Sequence, residues 1–136
     1  MRPVRGTVRH AAALLGALAA VAAGGCGGPS DEEQVRDTLV AFGRATARQD
    51  YEALCDRILA PRLVRSVTEA GVPCERAMRA GFAGVRDPQL TVGAVRVDSD
   101  RATAEVRTSA AGQEPSRDTV RLEKLDGSWR IAALDG

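Results

Sequence analysis

Histidine is nearly missing from this chain: the one copy, His10, lies within the first 25 residues. Everything from Cys26 onward lacks an imidazole. That excludes a His-dependent triad, a His general base and a His-containing zinc site. Lysine is nearly missing too, with Lys124 alone against many arginines. Aromatic residues are few, namely Phe42, Tyr51, Phe82 and Trp129. The core must therefore be built from Val, Leu, Ile and Ala, and its margin is thin. No apolar run reaches the roughly 20 residues that cross a bilayer as a helix. The run Ala11 to Ala23 is too short for that. Nor is there an excess of either charge. The first 25 residues hold three arginines and no acid, which leaves sixteen Arg and Lys against eighteen Asp and Glu. So balanced a domain has no electrostatic case for nucleic-acid binding.

What is present begins with the ends of that short apolar run. Arg2, Arg5 and Arg9 precede it and small residues follow it, which is the three-part layout of an export signal. The junction Val21-Ala22-Ala23-Gly24-Gly25-Cys26-Gly27 resembles a bacterial lipobox, in which a cysteine receives a lipid. Gly and Ala suit the narrow, extended substrate that a lipid-attaching enzyme and its peptidase need. A thiol is the side chain that forms a thioether under mild conditions. The sequence thus predicts a lipoprotein signal peptide over 1–25, lipidation (palmitate-type) at Cys26, and a short linker over 26–30. The location expected is the extracytoplasmic side of the cell membrane.

About 110 residues remain, enough for one domain, expected over 31–136. Cys55 and Cys74 are left once Cys26 is assigned to lipid. An even pair in an exported domain reads as a disulfide. Their spacing is far from that of a redox-active C-x-x-C.

Ser30 and Glu33 form the pattern of a capping box, and Asp31 and Glu32 place negative charge at the positive end of a helix dipole. Val35, Leu39, Phe42 and Ala45 follow at helical spacing. Asp50 caps a second predicted helix carrying Tyr51, Leu54, Cys55, Ile58 and Leu59, ended by Pro61. A third carries Leu63, Val64 and Val67 and stops at Gly71. A fourth runs from Pro73 to near Gly81, so the disulfide ties the second helix to the fourth. From Leu90 the period changes to two. Ala102, Ala104 and Val106 share one face, as do Val120 and Leu122, and Trp129, Ile131 and Ala133. Asp126-Gly127 between alternating runs is a strong hairpin signal. A bulge near Gly93 would reconcile Leu90 and Val92 with Val95 and Val97. Helices first and an antiparallel meander second give an α+β layout, with N-terminal helices packed on a curved antiparallel sheet.

This order, the Asp50-Tyr51-Glu52-Ala53 start of the second helix and the ending Leu125-Asp126-Gly127-Ser128-Trp129-Arg130-Ile131 resemble the nuclear transport factor 2-like (NTF2-like, SnoaL-like) superfamily, and in particular its small exported bacterial lipoproteins. The placement of Cys55 and Cys74 is similar as well. The resemblance implies a cone: a strongly bent sheet whose concave side is closed by helices around a cavity. The superfamily holds steroid isomerases and polyketide cyclases beside pure binding modules, and fold does not choose among them.

An isomerase-like site needs a carboxylate base among neutral donors in an apolar cavity. Two residues compete for such a role. Asp118 shares strand parity with Val120 and Leu122, and Tyr51 is the lone tyrosine. Packing accounts for Tyr51, and an exposed strand start accounts for Asp118. Trp129 is read as a core anchor. The expectation is therefore a noncatalytic, membrane-tethered accessory or binding lipoprotein, with no catalytic residue, metal or cofactor. Its partners would be the membrane, through the anchor, and a small apolar ligand or another envelope protein. The mixed-charge strand face argues for a monomer. The alternative is a small-molecule isomerase or cyclase working in the concave cavity.

Overall fold

A computed structural model describes residues 27–135, with the side chain of Asp135 left out. The expected signal segment and Cys26 lie outside the described residues. The chain begins with α1 (Asp31–Arg48). Its capping box is complete: the Ser30 hydroxyl accepts the Glu33 N–H, and Glu33 accepts the Ser30 N–H at 2.7 Å. Val35 and Leu39, the first two residues of the predicted stripe, are wholly buried. Gln49 ends the helix in the left-handed conformation, φ 58°.

The expected second helix is capped by Asp50 and helical as far as Ile58, but it changes type and leaves out Leu59. A single turn, α2 (Tyr51–Ala53), widens into a π segment, Leu54–Ile58. Leu59 is extended, at φ −80° and ψ 143°, and bridges Ile131 in parallel fashion. The Ala60 N–H then donates to the Ile131 carbonyl at 2.8 Å. Pro61 keeps Ala60 out of the helical region, and the earlier break at Leu59 goes with its pairing to Ile131. α3 (Pro61–Thr68) and α4 (Cys74–Gly81) follow where expected, separated by Gly71 at φ 77°. The disulfide joins Cys55 in the π segment to Cys74 at the start of α4.

The sheet is an antiparallel meander in the order β1-β2-β3-β4: β1 (Gln89–Asp98), β2 (Arg101–Ser109), β3 (Ser116–Leu125) and β4 (Ser128–Asp135). Asp126 and Gly127 both take positive φ, as a two-residue type I′ hairpin requires. β1 is bulged between Val92 and Val95, so Leu90, Val92, Val95 and Val97 all reach one face and Ala94 is left exposed. Gly93 is needed there, since a Cβ would stand 3.2 Å from the Glu105 carbonyl oxygen. A second irregularity falls on β4. Ile131 pairs with Leu122, and Ala133 pairs with Arg121, leaving Ala132 as the extra residue. Ala133 therefore joins the outer face, contrary to simple alternation. Bulges bend strands and add twist, and these two curve the sheet.

α1 lies across the concave face. Leu39 and Val35 meet Leu54, Ala104, Val120, Leu122 and Ile131 in the core, all 2% exposed or less. One polar junction fixes the start of α1 to the last hairpin. Asp31 Oδ1 accepts the Lys124 ammonium at 2.6 Å and the Trp129 Nε1–H at 3.0 Å. Trp129 is otherwise buried, as a core anchor should be.

Candidate functional site

The core fills one end of the concave face, and the other end is open. α1 crosses β1 at Gly43, whose absent side chain lets the helix approach the Leu90 Cβ. A Cβ at Gly43 would stand 3.2 Å from that atom. Beyond the crossing, Phe42 of α1 and Phe82 after α4 meet edge to face, with ring centroids 6.4 Å apart. These rings, with Val85, Pro88 and Leu90, line a pocket of about 310 Å³. That is the lower end of the size range of small-molecule sites.

The far wall is polar and ordered. Thr108 and Ser116 line the pocket, and their hydroxyl oxygens are 2.8 Å apart. Ser116 donates its proton to Asp118 Oδ2 at 2.7 Å. Thr108 must then be the donor to Ser116, so the protons run Thr108 to Ser116 to Asp118. This chain leaves lone pairs on Thr108 Oγ1 but no free hydroxyl proton. The wall is set to accept a hydrogen bond from a bound molecule. Thr46, also in the lining, has its hydroxyl turned back to the Phe42 carbonyl at 2.9 Å.

Strand parity placed Asp118 on the inner face, and it stands there, half-buried opposite buried Val106. It does not line the pocket; it stands behind Ser116. Tyr51 is elsewhere, buried beneath α4 with the Arg79 guanidinium 5.5 Å from its ring centre. The two candidate residues are therefore not brought together. Glu114 is the one acid in the pocket lining, and it is exposed at the rim. Among the described residues no His, Cys, Asp and Glu group could hold a metal ion.

Phe42, Phe82, Thr108 and Ser116 escaped sequence reasoning as site residues. The parity that pointed to Asp118 also points to Ser116, two residues before it on the same face. Thr108 follows from the register. Phe82 carried no such signal, because it sits just past a helix end.

No protein-family model matches the chain, and no curated protein matches it. Solved structures do. An NTF-2 like protein of unknown function from Silicibacter pomeroyi DSS-3 is similar at a TM-score of 0.54 and 20% identity, over 75% of this chain and 90% of that one. Another from Shewanella oneidensis MR-1 gives 0.54 at 12% identity, over 75% and 94%. A de novo designed NTF2 fold protein gives 0.52 at 17% identity, over 78% and 87%.

The chain has the NTF2-like fold. The pocket of this NTF2-like domain is the open end of the concave face described above. Identities this low establish architecture and carry no activity across.

Proposed function

We propose that this protein is a noncatalytic, membrane-tethered, extracytoplasmic binding or accessory lipoprotein. Its concave pocket takes a small apolar molecule that offers one hydrogen-bond donor. The observation that carries this reading is the pocket wall. Apolar side chains face a hydroxyl chain whose protons are all committed, and among the described residues the one acid that lines the pocket, Glu114, is exposed at its rim. Such a wall binds and orients without supplying a proton acceptor of the strength that enolisation needs. The basic start, the apolar run and the small residues before Cys26 support the tether. The Cys55–Cys74 disulfide supports an oxidising compartment.

Full-length protein and its Cys26→Ala variant, expressed in a bacterium that processes lipoproteins, test the tether by fractionation. The variant leaves the membrane fraction if the reading is right. Binding of a fluorescent naphthylamine probe tests the pocket, and Val85→Asp abolishes it. Retention of Cys26→Ala at the membrane, or no probe binding by the wild type, rejects the corresponding half.

A second reading draws on one observation, the direct hydrogen bond between pocket-lining Ser116 and Asp118. In it, Asp118 acts as the base of an isomerase or cyclase when Ser116 swings away. Turnover of a β,γ-unsaturated ketone by the intact protein, lost in Asp118→Asn, would replace the binding reading with this one.

A further inference from the structure

A second concavity lies on the other side of α1 from the pocket. It is a groove of about 370 Å³ between α1, α2 and the π segment, with Trp129 at one side. Its floor is apolar, made of buried Ala45, Ala53 and Ile58, with exposed Ala41 at its edge. Its rim carries Arg44, Arg48 and Arg57, all exposed. None of the three has a carboxylate within ion-pair distance among the described residues. Arg44 and Arg48 are one helical turn apart on one face, where like charges repel. Asp50 is the one acid in the lining, and its Oδ1 is occupied by the Ala53 N–H at 3.0 Å. The carbonyls of Ala45 and Thr46 at the end of α1 are already bonded by Asp50 N–H and Gln49 N–H.

We infer that this groove is an anion site for a soluble phosphate monoester with an apolar body. Three arginines and one aspartate give the lining a net charge of plus two. A phosphate monoester near pH 7 carries about −1.5 to −2, the matching value. A bilayer phosphodiester carries a single negative charge and leaves the groove half neutralised. Guanidinium forks from two elements, Arg44 and Arg48 on α1 and Arg57 on the π segment, suit the several oxygens of a terminal phosphate, each fork able to bond two of them. The alanine floor takes the apolar body without a polar penalty. The site is separate from the concave pocket and needs neither the tether nor a ligand there.

The convex face provides an internal control. Arg107 and Arg117 stand directly opposite each other across β2 and β3, yet Glu105 shares their groove.

The test uses the intact protein in zwitterionic detergent, with phenyl phosphate as the probe. Arginine modification by phenylglyoxal is followed residue by residue by mass spectrometry. Phenyl phosphate at about ten times its Kd slows modification of Arg44, Arg48 and Arg57 by about tenfold. Arg107 and Arg117 react at their original rates. Calorimetry of the Arg44→Gln/Arg57→Gln variant shows binding lost, with an unchanged circular dichroism spectrum. Three results overturn the inference: no protection, protection of all arginines alike, or protection by phosphatidylglycerol doped into the micelles with none by phenyl phosphate. The last would reassign the groove to a lipid head group.

Discussion

Removing the disulfide by Cys55→Ala/Cys74→Ala opens a loop closed by residues 19 apart. On the chain-entropy account a closure of that length stabilises the fold by about 3 kcal/mol. For a domain of this size each kcal/mol shifts Tm by about 4 °C, so the variant melts about 12 °C lower. The structure also says where the loss is felt. α3 contributes no buried residue and α4 contributes Cys74 alone. Leu63, Val64 and Met78 of this layer are only partly buried where they pack against the core, so the bridge is its one covalent tie, reaching Cys55 between buried Leu54 and Ile58. Amide hydrogen exchange in the variant should rise first in α3 and α4, while β2 and β3 stay protected. Phe82 follows α4 and meets Phe42, so naphthylamine binding weakens with the same mutation. A Tm shift below about 3 °C, or an exchange increase spread evenly over the sheet, would refute the reasoning.

Two further perturbations follow from contacts that the fold makes close. Gly43→Val drives a branched side chain into the Leu90 Cβ, lifts α1 from β1 and costs about 1–3 kcal/mol by chemical denaturation, with reduced probe affinity. The Lys124 ammonium, followed by the Trp129 indole N–H, holds the Asp31 carboxyl below its ordinary 3.8. The Ser30 N–H, followed by its hydroxyl, likewise lowers Glu33. Groups with depressed folded values stabilise the native state above their unfolded pKa, and that stability is lost as pH falls through the folded value. Melting temperature should therefore decline below about pH 4, and Asp31→Asn should flatten part of that decline.

Local chemistry made much of the fold legible. The Ser30–Glu33 capping box, the Asp126-Gly127 turn and the glycine at the β1 bulge each depend on residues a few positions apart, so their signals survive in the sequence. The second helix departs from the expectation only at its end, which is decided elsewhere. Leu59 continues the helical stripe by spacing, but its backbone is claimed by Ile131, 72 residues later in the chain. The β4 irregularity left no mark, since Ala132 is neither glycine nor a turn former. The Asp31–Lys124–Trp129 junction spans more than 90 residues and could not be read at all.

The site shows the same division. Parity alone brought Asp118 inside, yet its consequence depends on Ser116 standing in front of it and on Thr108 lying across the ladder. Whether an inward acid is a base or a hydrogen-bond terminus is decided by those two hydroxyls. Two glycines then decide that a pocket exists. Gly93 lets β1 bulge so that both its apolar halves turn inward, and Gly43 lets α1 close on Leu90. One bends the wall and the other seats the helix. Where α1 passes beyond that contact, the helix and the sheet part, and the unfilled space between them is lined by whatever those next residues happen to be. Here they are two phenylalanines and a pair of hydroxyls, the surface on which the proposed binding role rests.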